Sequence, residues 1–265
     1  MQLNIVPART GLHWARQGIR TFWKQPLAMS GLFFLFMAVV SVMSIVPMVG
    51  GALALVLLPA LTLGMMAATE VAEDQRFPMP GVLFAALKPG AQRKAMLQLG
   101  AYYALAFLVI MGVSMLVDGG TFARVYLTGA NMSPEVVNSA SFQMAMWVSM
   151  VLYIPLAMMF WHAPALVHWQ GVAPVKSLFF SFVACWRNLG AFMVYVAVWF
   201  GMFIAVALAS MLATSLLGDA SLLMAILMPA GLMVAAMFFT SMVYSVRDCF
   251  RVSGDAHAHR AHDGA

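Results

Sequence analysis

Charged residues are scarce in this chain. Only 9% of its 265 residues are Asp, Glu, Lys or Arg, and 63% are hydrophobic. Soluble domains carry roughly a quarter charged residues. The composition therefore excludes an ordinary soluble domain and indicates an integral membrane protein.

Six stretches are apolar over about twenty residues or more, the length that crosses a bilayer as a helix. A closed β-barrel, the other structure that can span lipid, would show alternating segments of about ten residues instead of these unbroken runs. We predict an all-α fold, a single six-helix transmembrane domain over residues 1–252. Its spans are predicted at about 27–46, 49–69, 95–117, 139–161, 189–217 and 221–245.

The predicted spans also lack charge. All 14 basic and 9 acidic residues fall in loops, termini or span ends. Glu70, at the cytoplasmic end of the second span, is interpreted as a solvated helix end beside Arg76. Ion-coupled carriers, proton relays and voltage sensors place ionisable groups at membrane depth, so coupled transport is disfavoured. No catalytic set of residues can be assembled from the sequence, and we expect neither an enzyme nor a bound cofactor.

Cysteine is nearly absent. The two that occur, Cys185 and Cys249, are far apart in sequence, and both lie near the predicted cytoplasmic side. A structural disulfide is not expected in that compartment.

The basic residues are distributed unevenly between the connecting segments. With the N-terminus inside, thirteen of the 14 basic residues lie on the cytoplasmic side, and Arg124 alone lies outside. Cytoplasmic segments keep positive charge, so we predict that both termini are cytoplasmic. The net charge of +5 follows from this topology and from anionic lipid headgroups. We expect membrane lipids as partners and no nucleic acid.

Two proline pairs with equal spacing indicate an internal repeat. Pro59 and Pro78 are nineteen residues apart, as are Pro155 and Pro174, and Pro229 begins a third copy whose second proline is replaced by Asp. Such self-similarity predicts three helical hairpins. The first proline of each copy lies within a span and is expected to kink it.

Small residues recur at every fourth position of the second predicted span. A small-xxx-small series lets helix backbones approach closely, and packing within the molecule is the default interpretation. Three kinked helices could also line a cavity. The residues expected to pack helices or kink them are Pro59, Ala60, Gly64, Ala68, Pro155 and Pro229.

Residues 8–25 place their basic side chains on one face of a helix and their apolar side chains on the other. This pattern is typical of a helix lying in the membrane interface. Residues 174–187 repeat it, and residues 82–88 repeat it more weakly, so each hairpin is preceded by an amphipathic segment. The residues expected at the membrane surface are Arg9, Arg16, Arg20, Trp23, Lys24, Trp186 and Arg187.

Histidine offers the candidate metal ligands. His162 and His168 flank a proline-containing turn at the end of the fourth span, where metal binding would need a ligand from elsewhere. We interpret them as interfacial histidines. His257, His259 and His262 lie in the tail, 253–265, which is polar and is expected to be disordered rather than a metal site.

The N-terminal sequence Leu3-Asn4-Ile5-Val6-Pro7-Ala8 and the segments Gly18–Phe22 and Gly31–Phe36 resemble a family of uncharacterised six-span bacterial inner-membrane proteins. The resemblance extends to Arg76–Pro80 and to Asp118-Gly119-Gly120, and it implies a six-span inner-membrane protein with no assigned activity. More loosely, the hairpin plan is similar to the membrane domain of some glycerophosphodiester phosphodiesterases. Their catalytic barrel is absent here, so that similarity implies lipid association only.

Two functions from different classes follow. The first is a non-catalytic accessory or assembly subunit of a larger membrane complex, with a membrane-protein partner. The alternative is a passive transporter or lipid-handling protein that uses a cavity between the three hairpins.

Overall fold

The computed structural model describes residues 2–46, 49–129, 133–217 and 222–251. Apart from one pair of two-residue strands, the regular elements are helices. They are β1 (Gln2–Leu3), α1 (Thr10–Phe22), α2 (Pro26–Ser44), α3 (Gly50–Glu73), a 3₁₀ helix (Pro80–Leu87), α4 (Arg93–Asp118), α5 (Thr121–Thr128), α6 (Pro134–Val137), α7 (Ala140–Trp161), α8 (Ala163–Gln170), α9 (Pro174–Arg187), α10 (Leu189–Leu217), α11 (Leu222–Cys249) and β2 (Phe250–Arg251).

Six helical segments within the described residues are long and apolar enough to cross a membrane. They are α2, α3, α4, α7 continued by α8, α10 and α11. This confirms the all-α fold with six transmembrane helices. The single-domain description, the internal repeat and a disordered tail stay predictions, and the tail itself lies outside the described residues.

The prolines at the three equivalent positions lie inside helices rather than at their ends. Pro59 is within α3, Pro155 within α7 and Pro229 within α11. Proline lacks the N–H that would bond the preceding turn, and a transmembrane helix tolerates this only where other groups satisfy the freed carbonyl.

The chain forms two compact units. The first comprises Met1–Met37, Leu61–Ala85 and Val183–Ala265, and the second comprises Ala38–Ala60 and Ala86–Phe182. In the second unit α4 packs against α7. A Cβ at Gly100 of α4 would overlap the carbonyl oxygen of Val56 in α3, so these two backbones also touch.

Helix α1 packs against α10 and α11 in the first unit. A side chain at Gly11 would overlap the carbonyl oxygen of Ala191, and one at Gly18 would overlap the backbone of Ser241. Trp14 between the two glycines is fully buried. The side of α1 expected to face lipid is therefore covered in large part by protein, because two glycines allow its backbone to reach the neighbouring helices.

The strands β1 and β2 pair antiparallel, with Gln2 opposite Arg251 and Leu3 opposite Phe250. The two ends of the described chain thus lie side by side. This arrangement agrees with an even number of spans and with both ends on one side of the membrane.

Replacing Gly18 by Ala is expected to destabilise the protein, because the added methyl group must displace the α11 backbone. Overpacking of this kind costs about 1–3 kcal/mol. Gly201→Ala in α10 is the matched control, since nothing lies within 4 Å of its added Cβ. Thermal unfolding of the two variants in the same detergent measures the difference. Equal unfolding temperatures would contradict the close packing of α1.

Candidate functional site

A network of polar side chains lies where α1 meets the ends of α3, α10 and α11 in the first unit. Asn188, between α9 and α10, is almost fully buried. Its Oδ1 accepts a hydrogen bond from the backbone N–H of Val6 at 2.8 Å, and its Nδ2 donates to the carbonyl oxygens of Asn4 at 3.1 Å and Ala184 at 3.0 Å. One amide therefore holds the segment that precedes α1 and also caps the end of α9.

Asp248 near the end of α11 holds the same N-terminal region from the other side. The indole Nε1 of Trp14 donates to its Oδ2 at 2.7 Å, and the side-chain amide of Asn4 donates to its backbone carbonyl at 3.0 Å. A buried indole needs an acceptor for its N–H, and a carboxylate makes that hydrogen bond a strong one.

Two carboxylates of α3 converge on one guanidinium of α11. Arg247 Nη1 lies 2.7 Å from Glu73 Oε2, and Arg247 Nη2 lies 3.2 Å from Glu70 Oε1. The sequence had placed Glu70 beside Arg76, but Arg76 instead pairs with Asp74 at 3.0 Å. Asp74 is two residues from Arg76 in the turn after α3, whereas Glu70 and Glu73 are one helical turn apart and face α11 together.

The ion pairs continue into a chain of hydroxyl groups. Tyr244 donates to Glu73 Oε1 at 2.9 Å, and its hydroxyl also lies 2.6 Å from the Thr21 hydroxyl of α1. Lys24, after α1, donates to the backbone carbonyl of Glu73 at 2.9 Å. This network ties three helices together through groups that satisfy one another.

The exposed side of α1 is different, because its cations have no acidic partner. Ion pairs within the described residues involve Arg76 and Arg247, and none involves α1. We call the exposed set Arg9, His13, Arg16 and Arg20 the basic face. Three of its members line a shallow depression of about 440 Å³. The acidic residues of this unit that the structure describes are engaged within the unit, so the basic face remains available to an external anion.

The other predicted surface residues differ in position. Trp23 and Trp186 are about 60% exposed, at 58% and 60%, and Arg187 is also exposed. Lys24 is held in the network already described. Placement of these side chains at a membrane surface stays a prediction.

The small-residue series of α3 faces inward. Ala60 and Ala68 are buried, and a Cβ at Gly64 would overlap the carbonyl oxygen of Leu83 in the 3₁₀ helix. Close packing at Gly64 is thus made within the chain, by a segment that the sequence presented only as a weak amphipathic helix.

His162 marks the break between α7 and α8. Its backbone N–H donates to the hydroxyl of Ser181 at 2.9 Å, and that hydroxyl donates to the Met158 carbonyl at 2.7 Å. In an unbroken helix the N–H of residue 162 would bond the carbonyl of residue 158 directly. Ser181 of α9 is inserted into that bond, which is a recognised cause of a helix kink.

The histidines do not assemble a metal centre in the part of the chain that the structure describes. No group of three or more His, Cys, Asp and Glu side chains there could hold a metal ion. His168 lies in α8, where its Nδ1 is enclosed and has no hydrogen-bond partner among the described residues. His257, His259 and His262 lie outside the described residues.

Sequence reasoning missed Asn188 and Ser181. For Asn188 the available signal was its position between two helices, where backbone groups at helix ends need partners. For Ser181, which lies inside α9, the signal was its place on the polar side of an amphipathic segment. Which backbone groups they reach could not be read from spacing, because the partners are between 4 and 184 residues away.

Comparison with known proteins shows similarity to an inner membrane protein. The chain is 38% identical over 257 residues to a probable inner membrane protein of Burkholderia thailandensis, and the match covers 95% of each chain. No family model matches the chain, and no solved structure matches it. The looser similarity to the membrane domain of glycerophosphodiester phosphodiesterases stays a prediction.

Asn188→Ala is expected to release the segment before α1. The buried N–H of Val6 and the carbonyl of Asn4 lose their partner, which costs about 1–3 kcal/mol. Hydrogen–deuterium exchange should become faster at residues 4–6. Asn138→Ala, at an exposed amide before α7, is the control and should leave this exchange unchanged. Unchanged exchange in the Asn188 variant would show that the Asn188 amide does not hold the segment.

Ser181→Ala is expected to destabilise the second unit, because it removes the bridge between His162 and Met158. The loss should be about 1–3 kcal/mol. Ser210→Ala is the matched control, since that buried hydroxyl donates only to Val206 of its own helix. Thermal unfolding compares the two, and an equal loss in both variants would contradict a special role for Ser181.

Proposed function

We propose that this chain, which belongs to the same family of bacterial inner membrane proteins as its Burkholderia thailandensis relative, is a non-catalytic accessory or assembly subunit of a larger membrane complex. A multi-pass location in the inner membrane agrees with its six apolar helices. The partner proposed is another membrane protein, and contacts rather than chemistry are its mode of action.

The proposed orientation places both termini in the cytoplasm. It is supported by the distribution of basic residues, thirteen of 14 on one side, and by the pairing of β1 with β2. In this orientation the basic face of α1 meets the anionic cytoplasmic leaflet, where each basic residue contributes about 1 kcal/mol of attraction.

The internal hydrogen bonds and ion pairs of the acidic side chains favour a role through protein contacts. Glu70, Glu73 and Asp248 pair with Arg247 or Trp14 of the same unit. A general acid or base needs a group that can reach a substrate proton. These carboxylates instead join helices, which supports a scaffold rather than an active site.

The observation that carries the proposal concerns residues 119–129 and 133–139, the described residues between α4 and α7, which lie outside the candidate spans. The first of these stretches is folded: Asp118 accepts hydrogen bonds from the backbone N–H groups of Gly120 at 2.9 Å and Phe122 at 2.6 Å, which starts α5. The Phe122 ring then packs against Phe142 of α7, with centroids 5.6 Å apart. This segment is therefore anchored to the second unit.

Three apolar side chains are exposed among the described residues of this segment. Tyr126 is 62% exposed, Leu127 47% and Val137 38%, and we call them the outer patch. Exposed apolar residues within a span face lipid, but these lie between spans, where an apolar surface marks an interaction site. Glu135 lies two residues before Val137, and the Ser133 hydroxyl keeps the pKa of Glu135 below its usual value. The α6 part of the outer patch therefore has a negative charge near it in sequence at neutral pH.

A second candidate function, passive transport or lipid handling, is favoured by one feature of the second unit. An apolar groove of about 520 Å³ runs along α4 and α7, and Pro155 lines it. It differs from the cavity expected between three hairpins, since its lining comes from α4, α7 and α9.

The accessory role predicts a protein partner present in fixed proportion after gentle extraction from the native membrane, measured by mass spectrometry. Leu127→Glu should weaken recovery of that partner by about thirtyfold, as expected for a residue that contributes about 2 kcal/mol to an interface. Thr128→Glu is the matched control, because it adds the same charge at the neighbouring exposed position.

A monodisperse chain extracted without any protein in fixed proportion would overturn the accessory role. An equal loss of partner in the Leu127 and Thr128 variants would instead overturn the assignment of the contact to the outer patch.

A further inference from the structure

The groove of the second unit has apolar walls throughout. Its lining comes from two spans, α4 and α7, and from one residue of α9. The side chains that line it are Tyr102, Leu105, Ala106, Val109, Ile110, Val113, Leu152, Pro155, Leu156, Met159, Phe160 and Leu178. We call it the α4–α7 groove.

Two small or irregular residues lie among those that line the groove. Ala106 has a much smaller side chain than Tyr102 and Ile110 on the same helix, and Pro155 lines the groove from α7. Atoms that line an unfilled groove lose dispersion contacts on one side. The groove lies within helices that cross the membrane, so the molecules available to restore those contacts are lipid chains.

The length of the groove fits an acyl chain. It extends from Tyr102 to Val113 on α4. At about 1.5 Å per residue this is about 16 Å. One leaflet contributes about 15 Å of hydrocarbon, half the thickness of a bilayer core. A single acyl chain is therefore long enough to fill it.

One end of the groove is flanked by cations. Tyr102 is the lining residue nearest the start of α4, and Leu178 is the lining residue from α9. The start of α4 is close to the segment before α9, because the Gln92 side-chain nitrogen lies 3.2 Å from the position of a Cβ on Gly171. Lys94 precedes Tyr102 by two helical turns, and Lys176 precedes Leu178 by two residues. Both lysines are exposed, and no ion pair within the described residues involves either of them.

We propose that the α4–α7 groove binds one acyl chain of an anionic phospholipid, whose phosphate lies against Lys94 and Lys176. The apolar walls select the chain, and the two ammonium groups favour a headgroup with net negative charge. This site is independent of the accessory role, because it involves neither the outer patch nor a protein partner.

The test uses the full chain reconstituted into vesicles of phosphatidylglycerol and phosphatidylethanolamine in equal amounts. After extraction in mild detergent, mass spectrometry measures the phospholipid that remains bound per chain. Ala106→Phe fills the groove and should reduce bound phospholipid by about tenfold, which corresponds to about 1.4 kcal/mol. Leu116→Phe, on the same helix and 87% exposed outside the groove, is the control and should bind like the original chain.

The headgroup is tested in the same preparation. The original chain should be enriched in phosphatidylglycerol, and the double variant Lys94→Gln, Lys176→Gln should lose that enrichment while it still binds phospholipid. Lys88→Gln, an exposed lysine before α4, should keep the enrichment. Equal binding by the Ala106 and Leu116 variants would overturn the site. Bound lipid in the vesicle ratio on the original chain would overturn its preference for an anionic headgroup.

Discussion

Helix α1 approaches α10 and α11 so closely that a side chain at Gly11 or Gly18 would overlap their backbones. This contact buries Trp14, whose indole N–H then needs an acceptor and finds it in Asp248. It also brings Thr21 to Tyr244, and through Tyr244 to the carboxylates of α3. The polar network of the first unit depends on that approach, because its groups come from helices that the contact brings together.

The same physical constraint operates throughout the molecule. In lipid a backbone group without a partner costs several kcal/mol, so each interruption of a helix must be satisfied from within. Ser181 does this at the break before α8, and Asn188 does it at the junction of α9 and α10. Polar side chains in this protein therefore serve largely to complete backbone hydrogen bonds and to join helices.

Three surfaces of the described residues take no part in these internal hydrogen bonds. The basic face of α1 carries cations without acidic partners, the outer patch carries apolar groups between two spans, and the α4–α7 groove is an unfilled apolar surface within the spans. For these surfaces we propose partners of different chemistry: anionic headgroups for the first, another protein for the second and an acyl chain for the third. A protein with these partners would act through what it binds in the membrane.

Hydropathy alone was sufficient for the all-α fold and its six spans, because a length of about twenty apolar residues is imposed by the bilayer and is local in sequence. Hydropathy did not indicate which residues distant in sequence contact one another. Glu70 was expected beside Arg76 and lies against Arg247, a partner 177 residues away that spacing along the chain does not indicate. The tertiary structure also decided that α1 packs against α10 and α11 and that Ala106 and Pro155 line a groove. Periodicity specifies only that a helix has an apolar face, whereas packing depends on which faces meet.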